Sequence, residues 1–322
     1  MDRIRAVLSK QDRVAVFPIV GMDHAARLSN LDFAEVAHDG VKIAHCVEHA
    51  FKTYQYDMAL IFVDAYVEAE AMGCKVGFSP DARLLSPAPA YSGAASKPED
   101  RPTTIGDRTG EVIKAAAILK AQVDVPVFVS IKGPFTLAAF LTGLDDFLKL
   151  LIRDPGRAYE IIDDALGFQL SYLERLLAVG VDIFVGDPVA SGSVISPKTF
   201  QQLARPVLRT LMERIKGRGQ IGGIHICGET RSIADPLDEC GADILSVEDI
   251  TIPTKTLKMG GVSTETVLHR GRAAIEEEVR AAQRQDRLIL ATSCDVPVET
   301  PAANIKAMVE FARSPKPDDS TR

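Results

Sequence analysis

GVDIFVGDPVASGSVISPKTFQQLARPVLRTLMERIKGRGQIGGIHIC, residues 180–227, carries the pattern that decides the fold. Residues 181–185 form a short apolar run, closed by Asp187-Pro188, and such a run reads as a buried strand. Ser196-Pro197 then sets a capping hydroxyl and a first-turn proline ahead of a helix reaching about Lys216. A second apolar run ends at Cys227. Strand, helix, strand in this order predicts two parallel strands with the helix packed outside them.

The same rhythm continues in both directions. Strand-like runs cover 14–20, 58–63, 75–78, 125–131, 241–249, Leu257–Val262 and Leu288–Thr292. Helical patterns cover the VEAEAMG stretch after Asp64, the residues after Pro134, Pro155–Val179, 230–240, 264–284 and 301–313. Eight or nine strands alternating with helices, with no linker between halves, predict a closed (β/α)₈ TIM barrel. They predict one domain over 1–322 rather than a two-domain doubly wound fold. Asp64, Lys132, Asp187, Glu248 and Asp295 each follow a strand, so a barrel would gather them at its C-terminal mouth. Capping of the following helix explains an acidic residue there equally well.

One segment breaks the rhythm. Residues 79–110 carry five prolines and little periodicity, as expected of a long inserted loop, either a lid over the mouth or part of the substrate wall. The first 13 residues alternate charged and apolar side chains and read as a short amphipathic helix rather than a secretory signal. The tail from Ser314 is expected to fray.

Bulk composition narrows the function classes. The chain has 322 residues, 46% hydrophobic and 25% charged, and a net charge of −7. This is an ordinary soluble composition without the basic excess of a nucleic-acid binder. No apolar run approaches a membrane span, so a cytoplasmic protein is expected. The five cysteines, Cys46, Cys74, Cys227, Cys240 and Cys294, are an odd set more consistent with free thiols or metal ligands than with disulfides.

His225 and Cys227 are two apart in a strand and therefore face one side. Cys294 lies just past the last strand. An imidazole and two thiolates suit zinc, and three protein ligands leave a position for substrate. On residue pattern alone, the alternative of small buried side chains stays open for all three.

HICGET, DPVASGSVISPKTF, KGPFTLAAFLTG and CDVPVETPAANIKAM together resemble the uroporphyrinogen decarboxylase-like barrels. Within that superfamily the chain resembles the branch of zinc-dependent methylcobalamin:coenzyme M methyltransferases, from about residue 14 to residue 311. The resemblance implies a (β/α)₈ barrel and a zinc held by His225, Cys227 and Cys294, with Glu248 filling a fourth position until a thiol arrives. It implies methyl transfer from a methyl-Co(III) corrinoid to a thiol such as coenzyme M. The corrinoid would be carried by a partner protein docking at the mouth, since the chain has no Asp-x-His-x-x-Gly motif. Asp187 is a candidate positioning group for the catalytic centre. Asp23, His24 and Lys132 are candidate substrate contacts, with Arg27 a further partner for an anionic acceptor. The decarboxylase branch carries Arg-Gln-Ala-Gly-Arg after the first strand, where this chain has FPIVGMDHAAR. Porphyrinogen decarboxylation therefore stands as the alternative, together with methyl transfer to tetrahydrofolate, homocysteine or another acceptor. A non-catalytic corrinoid- or metal-binding partner is the third reading.

Overall fold

A computed structural model describes residues 14–79, 83–91, 105–285 and 287–314. Its eight strands are β1 (Ala15–Val16), β2 (Ala59–Ile61), β3 (Val127–Lys132), β4 (Asp182–Gly186), β5 (Gly222–Ile226), β6 (Ile244–Val247), β7 (Leu257–Val262) and β8 (Leu288–Thr292). They form one sheet in the order β1-β8-β7-β6-β5-β4-β3-β2, and every paired neighbour is parallel. Cyclic order with helices in every connection but β6–β7 is the TIM-barrel arrangement expected from the sequence.

The β1–β2 seam is closed without a ladder. Asp57 donates its backbone N–H to Val16 O at 2.9 Å, and its carboxylate accepts Val16 N–H at 2.9 Å. The sequence predicts a seven-residue first strand, yet only two residues pair. Pro18 interrupts the run and has no N–H for a ladder.

Helix Pro155–Val179 has the predicted bounds. Asp154 accepts the Arg157 N–H at 3.1 Å, Pro155 opens the first turn, and Gly180 ends it at φ +83°. Ile161, Ala165, Phe168, Tyr172 and Leu176 recur at helical spacing on its buried face. Ser196 caps the next helix as expected, its hydroxyl accepting Thr199 N–H at 3.1 Å. That helix contains a π-helical stretch at Phe200–Ala204 before Arg205–Gly217. Residues 264–284 are likewise divided, by Gly271 at φ +65°, into a π turn and the helix Arg272–Gln283.

The 79–110 segment is more structured than a loop at the positions described. Lys75 bridges Ala88 and Phe78 bridges Leu84, both antiparallel, and the helix Asp107–Gln122 begins inside it. The expected N-terminal helix and the tail after Ser314 lie outside the described residues. Among the described residues no helix is long and apolar enough to cross a membrane.

The barrel interior is packed with aromatics. Phe17, Phe128 and Phe184 stack with ring centroids 5.0–6.5 Å apart. Phe184 pairs in register with Gly223, and a Cβ at Gly223 would lie 2.2 Å from the Phe184 ring. The glycine therefore makes room for the ring. Gly223→Ala should cost about 1–3 kcal/mol through overpacking, measured as a lower urea midpoint at unchanged m-value.

Candidate metal centre at the barrel mouth

Parallel register assembles the site. Lys132, Gly186, His225 and Ser246 are successive partners across β3, β4, β5 and β6, and Ser246 pairs with Met259 on β7. Laterally paired residues of a sheet face the same way, so this single rung presents its side chains to the barrel axis. All five line a cavity of about 240 Å³ together with Cys227, Cys294 and Asp295. Gly186 contributes no side chain to the rung, and the space it leaves separates Lys132 from His225. The Phe184 ring, one alternation below, lines the same cavity.

Cys227 directly follows β5, and Cys294 lies two residues beyond β8. The curvature of the barrel brings them together across two intervening strands. His225 Nε2 lies 2.9 Å from Cys227 Sγ and 3.7 Å from Cys294 Sγ, and the two sulfurs are 3.5 Å apart. Among the described residues this is the one group of three such donors, all within 4.8 Å of one another. Tetrahedral zinc with ordinary Zn–N and Zn–S bonds needs donors roughly 3.5–3.8 Å apart, so the donor types fit zinc, the two distances to Cys294 already match, and the 2.9 Å His225–Cys227 contact would open by about 0.6 Å to hold it.

The electrostatics prepare one sulfur for ligation. A hydrogen bond from Cys294 holds the Cys227 thiol below the usual cysteine range, against the opposing effect of burial. Cys294 is pushed well up, first by its bond to Cys227 and then by burial. Cys227 is therefore the more acidic thiol of the pair, with Asp295 Oδ1 3.0 Å from Cys294 Sγ.

On the far side of the ring, His225 Nδ1 lies 2.9 Å from Ser246 Oγ. That contact sets the imidazole orientation and leaves Nε2 for the sulfurs. Ser246 is the single polar residue of β6, and its role depends on register, which the sequence reading lacked. Ser246→Ala should lower zinc affinity about 10–100-fold, read by competition with a chromogenic chelator. Unchanged affinity would mean that the hydroxyl does not orient the ring.

The other expected site residues are distributed differently. Glu248 is exposed and outside the donor group, and its Oε1 accepts the Gly228 N–H at 2.6 Å. In this arrangement it braces the turn after Cys227, where Gly228 adopts φ +75°. Asp187 is fully buried and absent from the cavity wall. Its Oδ1 accepts Thr136 N–H at 2.7 Å, at the start of helix Pro134–Thr142. Its N–H donates to His225 O at 2.9 Å. Burial pushes its carboxyl up to about 6. A Cβ at Gly133 would lie 2.2 Å from that carboxylate. Asp187 thus joins the β3, β4 and β5 ends and caps a helix without facing the reacting space.

His24 is buried in the wall, with Nε2 2.8 Å from the Tyr54 hydroxyl, and burial holds its pKa down. It lines neither the inner cavity nor the outer cleft. Asp23 and Arg27 line that second, outer cleft of about 1060 Å³, with Asp32, Arg83, Asp295 and Glu299. The Asp23 carboxyl is raised by burial first and then by the neighbouring charges of Asp295 and Glu299. Phe62, Ala65 and Asp295 border both spaces.

Comparison with known proteins adds ancestry. The family described as Uroporphyrinogen decarboxylase (URO-D) matches residues 2–315. The methylcobamide:CoM methyltransferase MtaA of Methanosarcina barkeri is 28% identical over 260 residues, covering 76% of this chain and 75% of the relative. A methylated-thiol–coenzyme M methyltransferase of Methanosarcina mazei is 26% identical over 312 residues, covering 91% and 83%. A solved methyltransferase structure from Methanosarcina mazei superposes with a TM-score of 0.84 at 24% identity, covering 96% and 97%. This last likeness bears on the fold.

Proposed function

The chain belongs to the uroporphyrinogen decarboxylase family, and from that premise we propose that it is a zinc-dependent methyltransferase. It moves a methyl group from a corrinoid, carried by a partner protein, to a small thiol such as coenzyme M. The observation that carries this reading is the convergence of His225, Cys227 and Cys294 at the mouth. Relatives that act between methylcobamides and coenzyme M support it.

Zinc held by His225, Cys227 and Cys294 would supply the acidity that keeps an acceptor thiol deprotonated near neutral pH. Ser246 holds the imidazole in the ligating orientation. Lys132 presents a buried ammonium to the cavity, where it can pair with the anionic end of the acceptor. In the transfer, the carbon–cobalt bond breaks as the carbon–sulfur bond forms. The thiol proton goes to solvent, and cobalt keeps the electron pair. The outer cleft gives the bulky donor an approach to the sulfur.

The decarboxylase alternative meets an electrostatic obstacle. Asp23, Asp32, Asp295 and Glu299 line the outer cleft against Arg27 and Arg83, and the carboxylates of a porphyrinogen would face these acids.

The test is zinc content by mass spectrometry, followed by methylcobalamin-dependent methylation of 2-mercaptoethanesulfonate. About one zinc per chain with thiol-dependent demethylation is expected. Transfer at full rate by metal-free protein would overturn the reading. Lys132→Met should raise KM for the anionic thiol about 10–100-fold, as expected for loss of a charge-assisted contact, with a smaller effect on kcat.

A further inference from the structure

Phe62 directly follows β2, and its carbonyl accepts the Met22 N–H at 3.1 Å, so its backbone is fixed to the next wall of the barrel. The half-buried ring borders both the inner cavity and the outer cleft. Ala65 and Asp295 share that border, but one is a methyl group and the other a short carboxylate. Phe62 is therefore the large apolar side chain at the junction.

Lys132 Nζ lies 4.9 Å from the centre of the Phe62 ring. The residue is 6% exposed. Among the described residues its ammonium makes no hydrogen bond and has no carboxylate within 4.0 Å. Glu68, buried nearby, accepts the Lys132 backbone N–H at 2.8 Å. Taking an ammonium out of water is costly, and the buried carboxyls of Glu68 and Asp187 offset part of that cost from beyond contact distance. The π-face offsets a further part, and an anion brought by a ligand would offset more. The ring also covers the cation, so a ligand that reaches Lys132 must fit beneath it.

Resting on the methyl-transfer reading, we propose that Phe62 is a specificity-determining partition between the acceptor and donor spaces. Its ring limits the acceptor to a short thiol whose anionic end meets Lys132 inside about 240 Å³. It keeps the bulky donor in the outer cleft of about 1060 Å³. Removing the ring joins the two spaces and admits longer anionic thiols.

The test uses zinc-loaded, full-length protein with methylcobalamin as donor, comparing kcat/KM for 2-mercaptoethanesulfonate and glutathione. Phe62→Ala should reduce the preference for the short thiol by at least about tenfold, and Phe62→Leu by less, mainly through KM. A second readout needs no turnover. Metal-free proteins are titrated with the fluorescent sulfonate 1-anilinonaphthalene-8-sulfonate. Phe62→Ala should bind it about tenfold more tightly than wild type, and adding Lys132→Met should reverse the gain.

Unchanged preference and unchanged dye affinity in variants with wild-type circular dichroism and melting would overturn the partition. If wild type methylates no thiol, the methyl-transfer reading fails while the dye titration still decides. A Lys132-dependent gain in Phe62→Ala supports the partition, and no gain overturns it. Should Phe62→Ala not fold, Phe62→Leu decides by the same two readouts.

Discussion

Cys227→Ser should leave the protein folded, strip it of zinc and abolish methyl transfer. Serine preserves the shape of the side chain, and Cys227 is half-buried at the mouth, so the core loses little. The donor chemistry changes completely, because a hydroxyl stays protonated at neutral pH where the thiol here is held low by Cys294. Cys227 Sγ is also the sulfur nearest to His225 Nε2 and lies 3.5 Å from the other thiol. Its loss leaves one imidazole and one sulfur, too few for a stable zinc site. Zinc affinity should fall by more than about 100-fold, beyond what loss of an outer hydrogen-bond partner causes. Cys240→Ala is the control. Burial pushes that thiol up to about 12, and it sits away from the cavity, so zinc content should not change. Equilibrium dialysis followed by metal analysis checks both variants. Full activity in a folded, zinc-depleted Cys227→Ser protein would sink the proposed chemistry.

How much of this was readable in advance depends on how far apart the interacting residues are along the chain. The strands were legible because each is a short apolar run ending in a polar residue. His225 and Cys227 were legible because strand alternation alone puts positions two apart on one face. Cys294 required only the further idea that strand ends of a barrel share a mouth. Ser246, Gly186 and Phe62 escaped the reading. The first two act through lateral register between strands, and Phe62 acts through the junction of two spaces.

Glu248 shows the complementary limit. Its position after β6 is right for the mouth, and there its carboxylate accepts the Gly228 N–H, a contact between loops that strand patterning does not foresee. Asp187 also lies at a strand end and turns inward to cap a helix. Helix Gly40–Tyr54 carries buried residues at Ile43, Val47, Ala50 and Tyr54, a helical period masked in a reading centred on strand ends. Helix Asp107–Gln122 starts within the proline-rich segment assigned as loop, at a glycine cap without an acidic or hydroxyl side chain.

Arg108→Met should cost about 3–5 kcal/mol at neutral pH. Arg108 is the second residue of helix Asp107–Gln122 and is 4% exposed. Its guanidinium pairs with the buried Asp64, bonds Glu70 at 2.9 Å and donates Nε–H to Ala37 O at 3.1 Å. Burial lowers its pKa to about 10. This direction means that removing the cation from water is only partly compensated, so the intact pair contributes modestly. Losing one partner is a different matter. Methionine fills the volume but leaves the buried Asp64 carboxyl without its cation, while the more exposed Glu70 can turn to water.

Asp64 follows β2 and lines the outer cleft, and its Oδ1 accepts the Tyr66 N–H at 2.7 Å. The damage should therefore reach the donor side of the mouth as well as the fold. Two measurements separate this mechanism from simple loss of packing. Adding Asp64→Asn should recover more than half of the lost stability, since the uncompensated charge is removed. Lowering the pH from 7 toward 4 should also narrow the gap between Arg108→Met and wild type, because a protonated carboxyl is cheaper to leave buried than a carboxylate. Urea unfolding of the four proteins across that range provides the test. A deficit that is independent of pH and additive in the double variant would show that Arg108 acts through its contacts with Ala37 and Glu70 instead.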